Sequence, residues 1–385
     1  MRYGFLAVIV TLTFISGCTD ILLTPGSDVF SVNEVAEEEG SPDVLVIRDV
    51  LLEAGPSGTS VLPDQPVTLS FVIENVDYEK YARNVEVELF NAANFRRGTK
   101  DENGNYPACG SVGCLPNECT GPAQEEGVAM DQLPGLGEED EGIPIDPLTG
   151  FVTGESPQGE PSNYEGACSV GDIPPGGVKT ISFDLRTPEK ESIGNVQVKT
   201  ELNFRVSYEF YSTMSYEFKV VDPGEIENLR RAGQTVTFDT GKFFSSGPIK
   251  IDAELKGYEY ALAGLPITVI VTLEDKGTKG SLISSQIGSG DLEVKFPKDF
   301  VKSWENTDNE YFNDCPEENG MYVCTNTDKA IDLYKKKSNP LQFRIAETPS
   351  PDEVAPYKSY FIKSRADYTY ELRDSVKVTI SPWKA

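Results

Sequence analysis

Hydrophobic and polar residues alternate with a period of two along much of this 385-residue chain. The clearest stretches are 66–75, 84–89 and 181–185, where every second side chain is hydrophobic. A period of two places those side chains on one face of an extended chain, so each stretch predicts a half-buried antiparallel strand. The longer aromatic stretch 196–221 predicts further β-structure, with a hairpin turn at Tyr211-Ser212-Thr213.

The strand pattern occurs twice, in the same order. The blocks correspond as follows: 266–275 matches 66–75, 292–296 echoes 85–89, 341–345 echoes 181–185, and 368–380 echoes 208–221. Four blocks in one order predict two copies of a single β-domain. Together with Gly and Pro turns, they predict an all-β fold of two tandem antiparallel immunoglobulin-like β-sandwich domains.

The predicted domain boundaries follow the breaks in this alternation. Domain 1 is predicted over 43–222 and domain 2 over 236–385. A linker at 223–235 separates them, because Asp222-Pro223-Gly224 interrupts the pattern. Within the linker, residues 225–232 are predicted to form one or two helical turns.

Alternation also stops inside each copy, over 91–177 and over 297–339, and each segment predicts a disulfide-stapled insertion. Part of the second insertion, 328–337, is predicted to be a short helix. The candidate disulfide cysteines in these segments are Cys109, Cys114, Cys119, Cys168, Cys315 and Cys324.

An even number of cysteines in an exported chain indicates disulfides, although the four in domain 1 allow three pairings. The alternative is a zinc site formed by those four, but their spacing differs from the usual Cys-x2-Cys knuckle.

The N-terminus begins with Arg2 and an apolar run, followed by Ile15-Ser16-Gly17-Cys18. This last group resembles the lipobox of prokaryotic lipoproteins, a family in which the cysteine is lipidated and the chain is cut before it. The resemblance implies a signal peptide over 1–17, lipidation of Cys18 and a tether over 18–42. An ordinary signal peptide is the alternative. An uncleaved span is disfavoured, because the apolar run is shorter than the ~20 residues that a bilayer requires.

The two copies share a second resemblance. In each, Pro-Val/Ile-Thr leads into hydrophobic alternation and ends in Glu-Asn or Glu-Asp, and a Val-x-Val-x-Leu strand follows at 85–89. The pattern resembles CARDB-like and related modules of prokaryotic surface proteins, over about half of each copy. The resemblance implies an adhesion or interaction module, and the cysteine insertions depart from that family.

Charge narrows the range of partners. The chain has 62 acidic and 34 basic residues and a net charge of −28. Such a surface repels nucleic acid, so no nucleic-acid partner is predicted. It attracts divalent cations and basic proteins, and a saline habitat is one explanation for it.

The chain contains no histidine, which excludes Ser-His-Asp hydrolysis, Cys-His proteolysis and histidine-ligated metals. It also contains no nucleophile elbow, dinucleotide motif or Walker loop. Carboxylates are too abundant to identify a glycosidase pair. We therefore expect that the protein is not an enzyme.

Two acidic loops are weak calcium candidates, because carboxylate and amide oxygens are the ligands that Ca²⁺ prefers. The candidates are Asp101, Asn103 and Asn105 in one loop, and Asp308 and Glu310 in the other. Neither loop has EF-hand spacing, so solvated acidic loops are the simpler interpretation. No other cofactor is predicted. Three tyrosines in predicted loops offer rings on which a sugar could stack, namely Tyr78, Tyr81 and Tyr106.

The sequence therefore predicts a membrane-anchored, extracytoplasmic lipoprotein that acts in binding, adhesion or envelope structure without catalysis. Its membrane contact is the lipid on Cys18, and its partner is an extracellular protein or polysaccharide. The alternative is a carbohydrate-active or carbohydrate-binding accessory protein that uses acidic loops. Homotypic assembly by edge-strand addition is a further alternative.

Overall fold

The computed structural model describes residues 43–53, 60–92, 94–98, 168–305, 311–312 and 314–382, and within them the protein consists mainly of antiparallel strands. The strands of the first copy are β1 (Leu45–Glu53), β2 (Ser60–Val61), β3 (Pro66–Asn75), β4 (Ala82–Asn91), β5 (Arg96–Arg97), β6 (Cys168–Ile173), β7 (Val178–Arg186) and β8 (Val198–Val221).

The strands of the second copy are β9 (Gly241–Phe244), β10 (Ile249–Leu255), β11 (Ala261–Leu262), β12 (Ile267–Asp275), β13 (Gly280–Leu282), β14 (Gln286–Ile287), β15 (Leu292–Pro297), β16 (Ser303–Trp304), β17 (Glu317–Glu318), β18 (Met321–Thr325), β19 (Ile331–Tyr334), β20 (Lys337–Ser338), β21 (Leu341–Glu347) and β22 (Tyr357–Ile380). The helices are α1 (Lys190–Ile193), α2 (Pro223–Arg231) and α3 (Pro351–Val354), with a 3-10 turn at Ile283–Ser285. The predicted all-β sandwich fold is confirmed.

Each copy contributes one covering sheet. In the first copy its order is β1-β3-β7-β5, and in the second it is β14-β19-β20-β12-β21-β16 with β10 paired to β12. Equivalent strands pair in the same register, since Val67 faces Leu185 in one copy and Ile267 faces Ile345 in the other.

A single larger sheet lies under both covering sheets, with the path β17-β18-β15-β22-β8-β4-β6. At its centre β8 and β22, each 24 residues long, pair without a break from Val198 opposite Ile380 to Val221 opposite Tyr357. The hairpin turn predicted at Tyr211-Ser212-Thr213 is therefore wrong, because these residues lie inside a continuous strand of roughly 80 Å.

The long strands form because period-two alternation is sustained along most of their length. Neither β8 nor β22 contains Gly or Pro, and most even-numbered side chains of both are buried. A strand with period-two burial and no breaker can continue for as long as it has a surface to cover. Here it covers the cores of both copies, whose buried hydrophobic residues form one continuous cluster.

Each copy completes the sheet of the other. The first half of β8 pairs with β4, and the second half of β22 lies beside it. At the far end of β22, β2 of the first copy adds in parallel to Thr379 and Ile380. The second copy repeats the arrangement, since β11 adds to Val220 and Val221 at the end of β8. The two copies thus exchange the second halves of their last strands. We call the paired strands β8 and β22 the ribbon, and an approximate twofold axis crosses it between the copies.

Four aromatic side chains lie at the centre of the ribbon, on the core side. They are Tyr208, Phe210, Tyr368 and Tyr370, with ring centroids 6.0 to 6.5 Å apart. The backbone of Leu45 hydrogen-bonds with the Tyr208 hydroxyl, and the backbone of Ile249 does so with Tyr368. Leu45 and Ile249 begin the equivalent strands β1 and β10, so each copy makes the same contact to its own long strand. Burial raises the pKa of these tyrosines above its usual range.

Loops also cross the seam between the copies. Asp43 of the first copy accepts hydrogen bonds from the N–H of Thr278 at 3.1 Å and from its hydroxyl at 2.6 Å. In the opposite direction, the hydroxyl of Ser246 donates to the carboxylate of Asp77. The two contacts are equivalent. In the first, a residue before β1 meets the loop after β12, and in the second, a residue before β10 meets the loop after β3.

The segments between the strand blocks differ in part from expectation. The linker contains α2, where helical turns were predicted. Segment 328–337 is not a helix, and that prediction is wrong. It forms β19 and the start of β20, because Ile331 and Leu333 alternate with exposed residues. No helix in the described part of the chain is long and apolar enough to span a membrane.

Candidate functional site

Several predicted site residues lie outside the residues that the structure describes. They are Cys18, the cysteines Cys109, Cys114 and Cys119, the calcium candidates Asp101, Asn103, Asn105, Asp308 and Glu310, and the loop tyrosine Tyr106. The lipid anchor and the calcium loops therefore stay predictions.

Cys315 and Cys324 form the predicted disulfide, with Cα atoms 4.2 Å apart. Cys324 is fully buried in β18, opposite Val294 of β15. Cys168 is the equivalent residue of the first copy: it is buried, disulfide-bonded and opposite Val87 of β4. A disulfide sulfur is not a thiolate ligand, so this bond removes Cys168 from the alternative zinc site.

The two cysteine-bearing strands lie towards opposite edges of the large sheet. Four strands, β15, β22, β8 and β4, separate β18 from β6. The reason is the twofold relation of the copies, which sends equivalent positions in opposite directions from the ribbon. Cys168 and Cys324 therefore do not mark one shared surface.

A surface that both copies share does exist on the outer side of the ribbon, at its centre. It is a cleft of about 140 Å³. Its lining residues are Tyr81 and Arg83 of the first copy, Glu209, Phe210 and Tyr211 of β8, Gly290 and Asp291 before β15, and Asp367, Tyr368 and Thr369 of β22. We call it the seam cleft.

The strands place the floor of the seam cleft. Glu209, Tyr211 and Asp367 are odd-numbered residues of the ribbon and point away from the core, whereas the even-numbered residues point into it. Two equivalent loops form the rims. Buried Asn75 donates from Nδ2 to the carbonyl of Lys80 at 2.9 Å, which fixes the loop before Tyr81.

Buried Asn326 fixes the other rim. Its Nδ2 donates to the carbonyl of Gly288 at 2.7 Å, and its Oδ1 accepts from the N–H of Leu292 at 2.8 Å. Both rims are thus held by a buried amide side chain. Their positions are set by the fold and not by contact with a ligand.

Two cationic side chains flank Tyr211 of the cleft floor. The Lys80 Nζ lies 4.4 Å from the centroid of the Tyr211 ring, and the Arg365 guanidinium carbon lies 4.3 Å from it. Arg365 also donates to both carboxylate oxygens of Asp367, at 2.8 and 2.7 Å. These contacts fix the orientation of Tyr211 and engage both carboxylate oxygens of Asp367.

Acidic side chains lie beside this group. Burial raises the pKa of Asp291, and the nearby charges of Asp367 and Glu209 raise it further against a hydrogen bond from the Gly288 backbone. Glu209 accepts a hydrogen bond from the Asn84 side chain at 2.7 Å. The cleft therefore presents several carboxylate oxygens beside aromatic rings.

This combination suits a ligand with hydroxyl groups and an apolar face. Carboxylates accept hydrogen bonds from hydroxyl groups, and the exposed ring of Tyr81 offers a flat surface for stacking. Within the described residues, no group of three or more Cys, Asp or Glu side chains is placed to hold a metal ion.

Sequence reasoning identified only part of the cleft. Of the loop tyrosines on whose rings a sugar could stack, Tyr81 lies on the rim of the cleft, whereas Tyr78 is 83% exposed and packs beside Gly176. Glu209, Asp291 and Asp367 were missed because they come together only through the pairing of β8 with β22. The available signal was the charged odd-numbered positions of an otherwise aromatic strand.

No protein-family model matches this chain, and comparison with curated proteins finds no significant match.

Proposed function

We propose that this protein is a lipid-anchored extracytoplasmic lipoprotein that serves as a binding, adhesion or envelope module without catalysis. The observation that carries the proposal is the seam cleft, which both copies build on a ribbon that neither copy could complete alone. A cleft on a continuous sheet with fixed rims has little freedom to lose on binding, which favours recognition. The sequence before Asp43 adds the anchor and the tether.

The residues of the cleft support binding better than catalysis. Asp367 is engaged by Arg365 in a two-point ion pair, which leaves it poorly suited to act as a nucleophile or base. Asp291 accepts a hydrogen bond from the Gly288 backbone. The absence of histidine removes the commonest proton carrier.

The second candidate, a carbohydrate-binding accessory protein, is favoured by one observation: an exposed tyrosine beside several carboxylates in a cleft of small-sugar size. In that case the ligand is a saccharide unit that stacks on Tyr81 and donates hydrogen bonds to Glu209.

The anchor is tested by the intact mass of the protein extracted from its native membrane. We expect residues 18–385 plus a lipid increment, with alkylation of six cysteines only after reduction. The Cys18→Ser variant should leave the membrane fraction. A membrane-bound Cys18→Ser variant, or an unlipidated wild-type chain, rejects the anchor.

The cleft is tested with purified soluble protein that lacks the anchor, by glycan-array screening followed by calorimetric titration. Tyr81→Ala should weaken binding of any saccharide hit about five- to ten-fold, because an aromatic stack contributes about 1–1.4 kcal/mol. Tyr258→Ala is the matched control, since Tyr258 is exposed outside the cleft. Equal losses in both variants would place the binding elsewhere.

A further inference from the structure

Five exposed lysines lie on two adjacent loops of the second copy. Lys276 and Lys279 follow β12, and Lys335, Lys336 and Lys337 lie in and after the turn between β19 and β20. The loops touch: the Asp275 N–H donates to the Lys336 carbonyl at 2.8 Å, and the Lys336 Nζ donates to the Gly277 carbonyl at 2.8 Å. We call this group the lysine patch.

The turn that carries the patch is unusual for its backbone. Tyr334 pairs with Lys337, so Lys335 and Lys336 form a two-residue hairpin turn, with φ of 50° and 70°. Turns with two positive φ values favour Asn-Gly and disfavour long side chains. The hairpin geometry therefore does not account for lysine at either position.

The equivalent turn of the first copy shows that the fold does not require lysine at this turn. There the Asn75 N–H donates to the Gly177 carbonyl, so Gly176 corresponds to Lys335, and its φ is 64°. The first copy builds this turn from Pro174-Pro175-Gly176-Gly177, with no charged side chain. Lysine is thus a feature that the second copy adds, in a conformation that disfavours it, and such positions often serve function.

The charges of the patch are only partly neutralised. Lys276 lies 3.5 Å from Glu274, which is also the sheet neighbour of Lys337, and Lys336 lies 3.7 Å from Asp275. Within the described residues, Lys279, Lys335 and Lys337 form no ion pair. Asp43 also reaches this loop, where it accepts hydrogen bonds from Thr278.

An exposed ring completes the surface. Tyr334 is 76% exposed, and the Lys335 Nζ lies 5.3 Å from its centroid. The whole chain has a net charge of −28, so this compact group of lysines beside the exposed Tyr334 ring is a local region of positive charge on an acidic protein.

We propose that the lysine patch binds a carboxylate-bearing polysaccharide, with sugar carboxylates on the lysines and a sugar face on Tyr334. The small size of the patch decides among polyanions. A planar anionic membrane or a stiff duplex would bring the acidic remainder of the protein against its own charge, whereas a flexible sugar chain can contact the patch alone. The proposal adds a second site to the binding function proposed above and does not depend on the seam cleft.

The test uses the purified chain without its anchor, with fluorescent oligogalacturonate as the probe. The patch variant replaces Lys276, Lys279, Lys335 and Lys337 by Gln and leaves Lys336 in place. We expect roughly ten-fold weaker binding or complete loss, and wild-type affinity that falls steeply with added salt. The charge-matched control replaces Lys179, Lys190, Lys199 and Lys256, all exposed outside the patch, by Gln.

Tyr81→Ala, which alters only the seam cleft, should bind the probe like wild type and so separates the two sites. Circular dichroism and the unfolding midpoint confirm that the variants fold. The proposal is overturned by any of three results: no wild-type binding, equal loss in the patch and control variants, or tighter binding to phosphatidylglycerol vesicles or single-stranded DNA than to oligogalacturonate.

Discussion

Equivalent positions in the two copies carry different side chains where their neighbours differ. Asn75 and Asp275 are the last residues of the equivalent strands β3 and β12, and both are buried. Asn75 is neutral and donates to carbonyl groups. Asp275 instead accepts from the Gly277 N–H and the Tyr370 hydroxyl, and Lys336 lies beside it. A buried acid is therefore tolerated only where donors and a cation surround it.

This difference predicts separate roles for two adjacent lysines. Lys336→Met should lower the free energy of unfolding by about 1 kcal/mol, because Asp275 loses its nearest cation while staying buried. Lys335→Met, the matched control, should stay within about 0.5 kcal/mol of wild type. Urea denaturation of both variants checks this, and equal effects would contradict the role given to Lys336.

Asp291 makes the stability depend on pH. Its pKa is raised in the folded protein, so the ionised carboxylate opposes folding at neutral pH. That penalty disappears as the pH falls through the folded pKa towards the ordinary value of 3.8. We expect Asp291→Asn to be more stable than wild type at pH 7, with a difference that shrinks on acidification. Asp239→Asn, at an exposed position, is the control and should show no such trend.

At the scale of elements, the sequence pattern supports a continuous strand β8 and not the turn predicted at Tyr211-Ser212-Thr213. Ser212 looks like a turn residue, but it continues the buried even-numbered series between Phe210 and Met214, and its hydroxyl hydrogen-bonds with Tyr368. No Gly, Pro, Asn or Asp stands nearby to reverse the chain. Applied strictly, period-two alternation predicts one continuous strand, so this part of the fold was predictable from sequence.

The hairpin between β19 and β20 offers an element-scale test. Lys335→Asn should raise the free energy of unfolding by about 0.5–1 kcal/mol, because Asn tolerates positive φ better than Lys does. Lys337→Asn is the control: Lys337 lies in β20, where Asn is a weaker strand former and no gain is expected. Thermal unfolding compares the two, and a loss of stability in Lys335→Asn would refute the strain argument.

The disulfide of the second insertion closes a short loop at the edge of the large sheet. Removing it with Cys315→Ala and Cys324→Ala should lower the free energy of unfolding by about 2.5–3 kcal/mol, the chain-entropy value for such a loop. Guanidinium titration of the double variant measures this. A change below about 1 kcal/mol would mean that the unfolded state is already constrained there.

At the scale of the whole molecule, exchange of strand halves is what the sequence could not reveal. The internal repeat in the sequence predicted two copies, with boundaries at 43–222 and 236–385. Local patterning says nothing about whether the second half of β8 returns to its own core or joins another. Pairing is decided by the length of the ribbon and by the twofold contacts at its centre. For the same reason the seam cleft, which needs both copies, was only partly predictable.

The edge strands β17 and β1 indicate whether another copy of the chain could add to the sheets. The edge strand β17 has two residues, both exposed glutamates, and β1 carries a bulge at Asp49, whose φ is 50°. Short, charged or bulged edges disfavour strand addition. The architecture therefore favours recognition through side chains over assembly through exposed backbone.

We infer that the two copies form one body on which the binding surfaces depend. Differential scanning calorimetry of the disulfide-intact protein tests it most directly, because independent domains unfold separately whereas strand-exchanged copies cannot. We predict a single transition with a calorimetric to van 't Hoff enthalpy ratio of about one. Ser207→Pro, which breaks the ribbon within the first copy, should lower the temperature of that whole transition. Two resolved transitions, or a Ser207→Pro effect confined to one of them, would contradict the account.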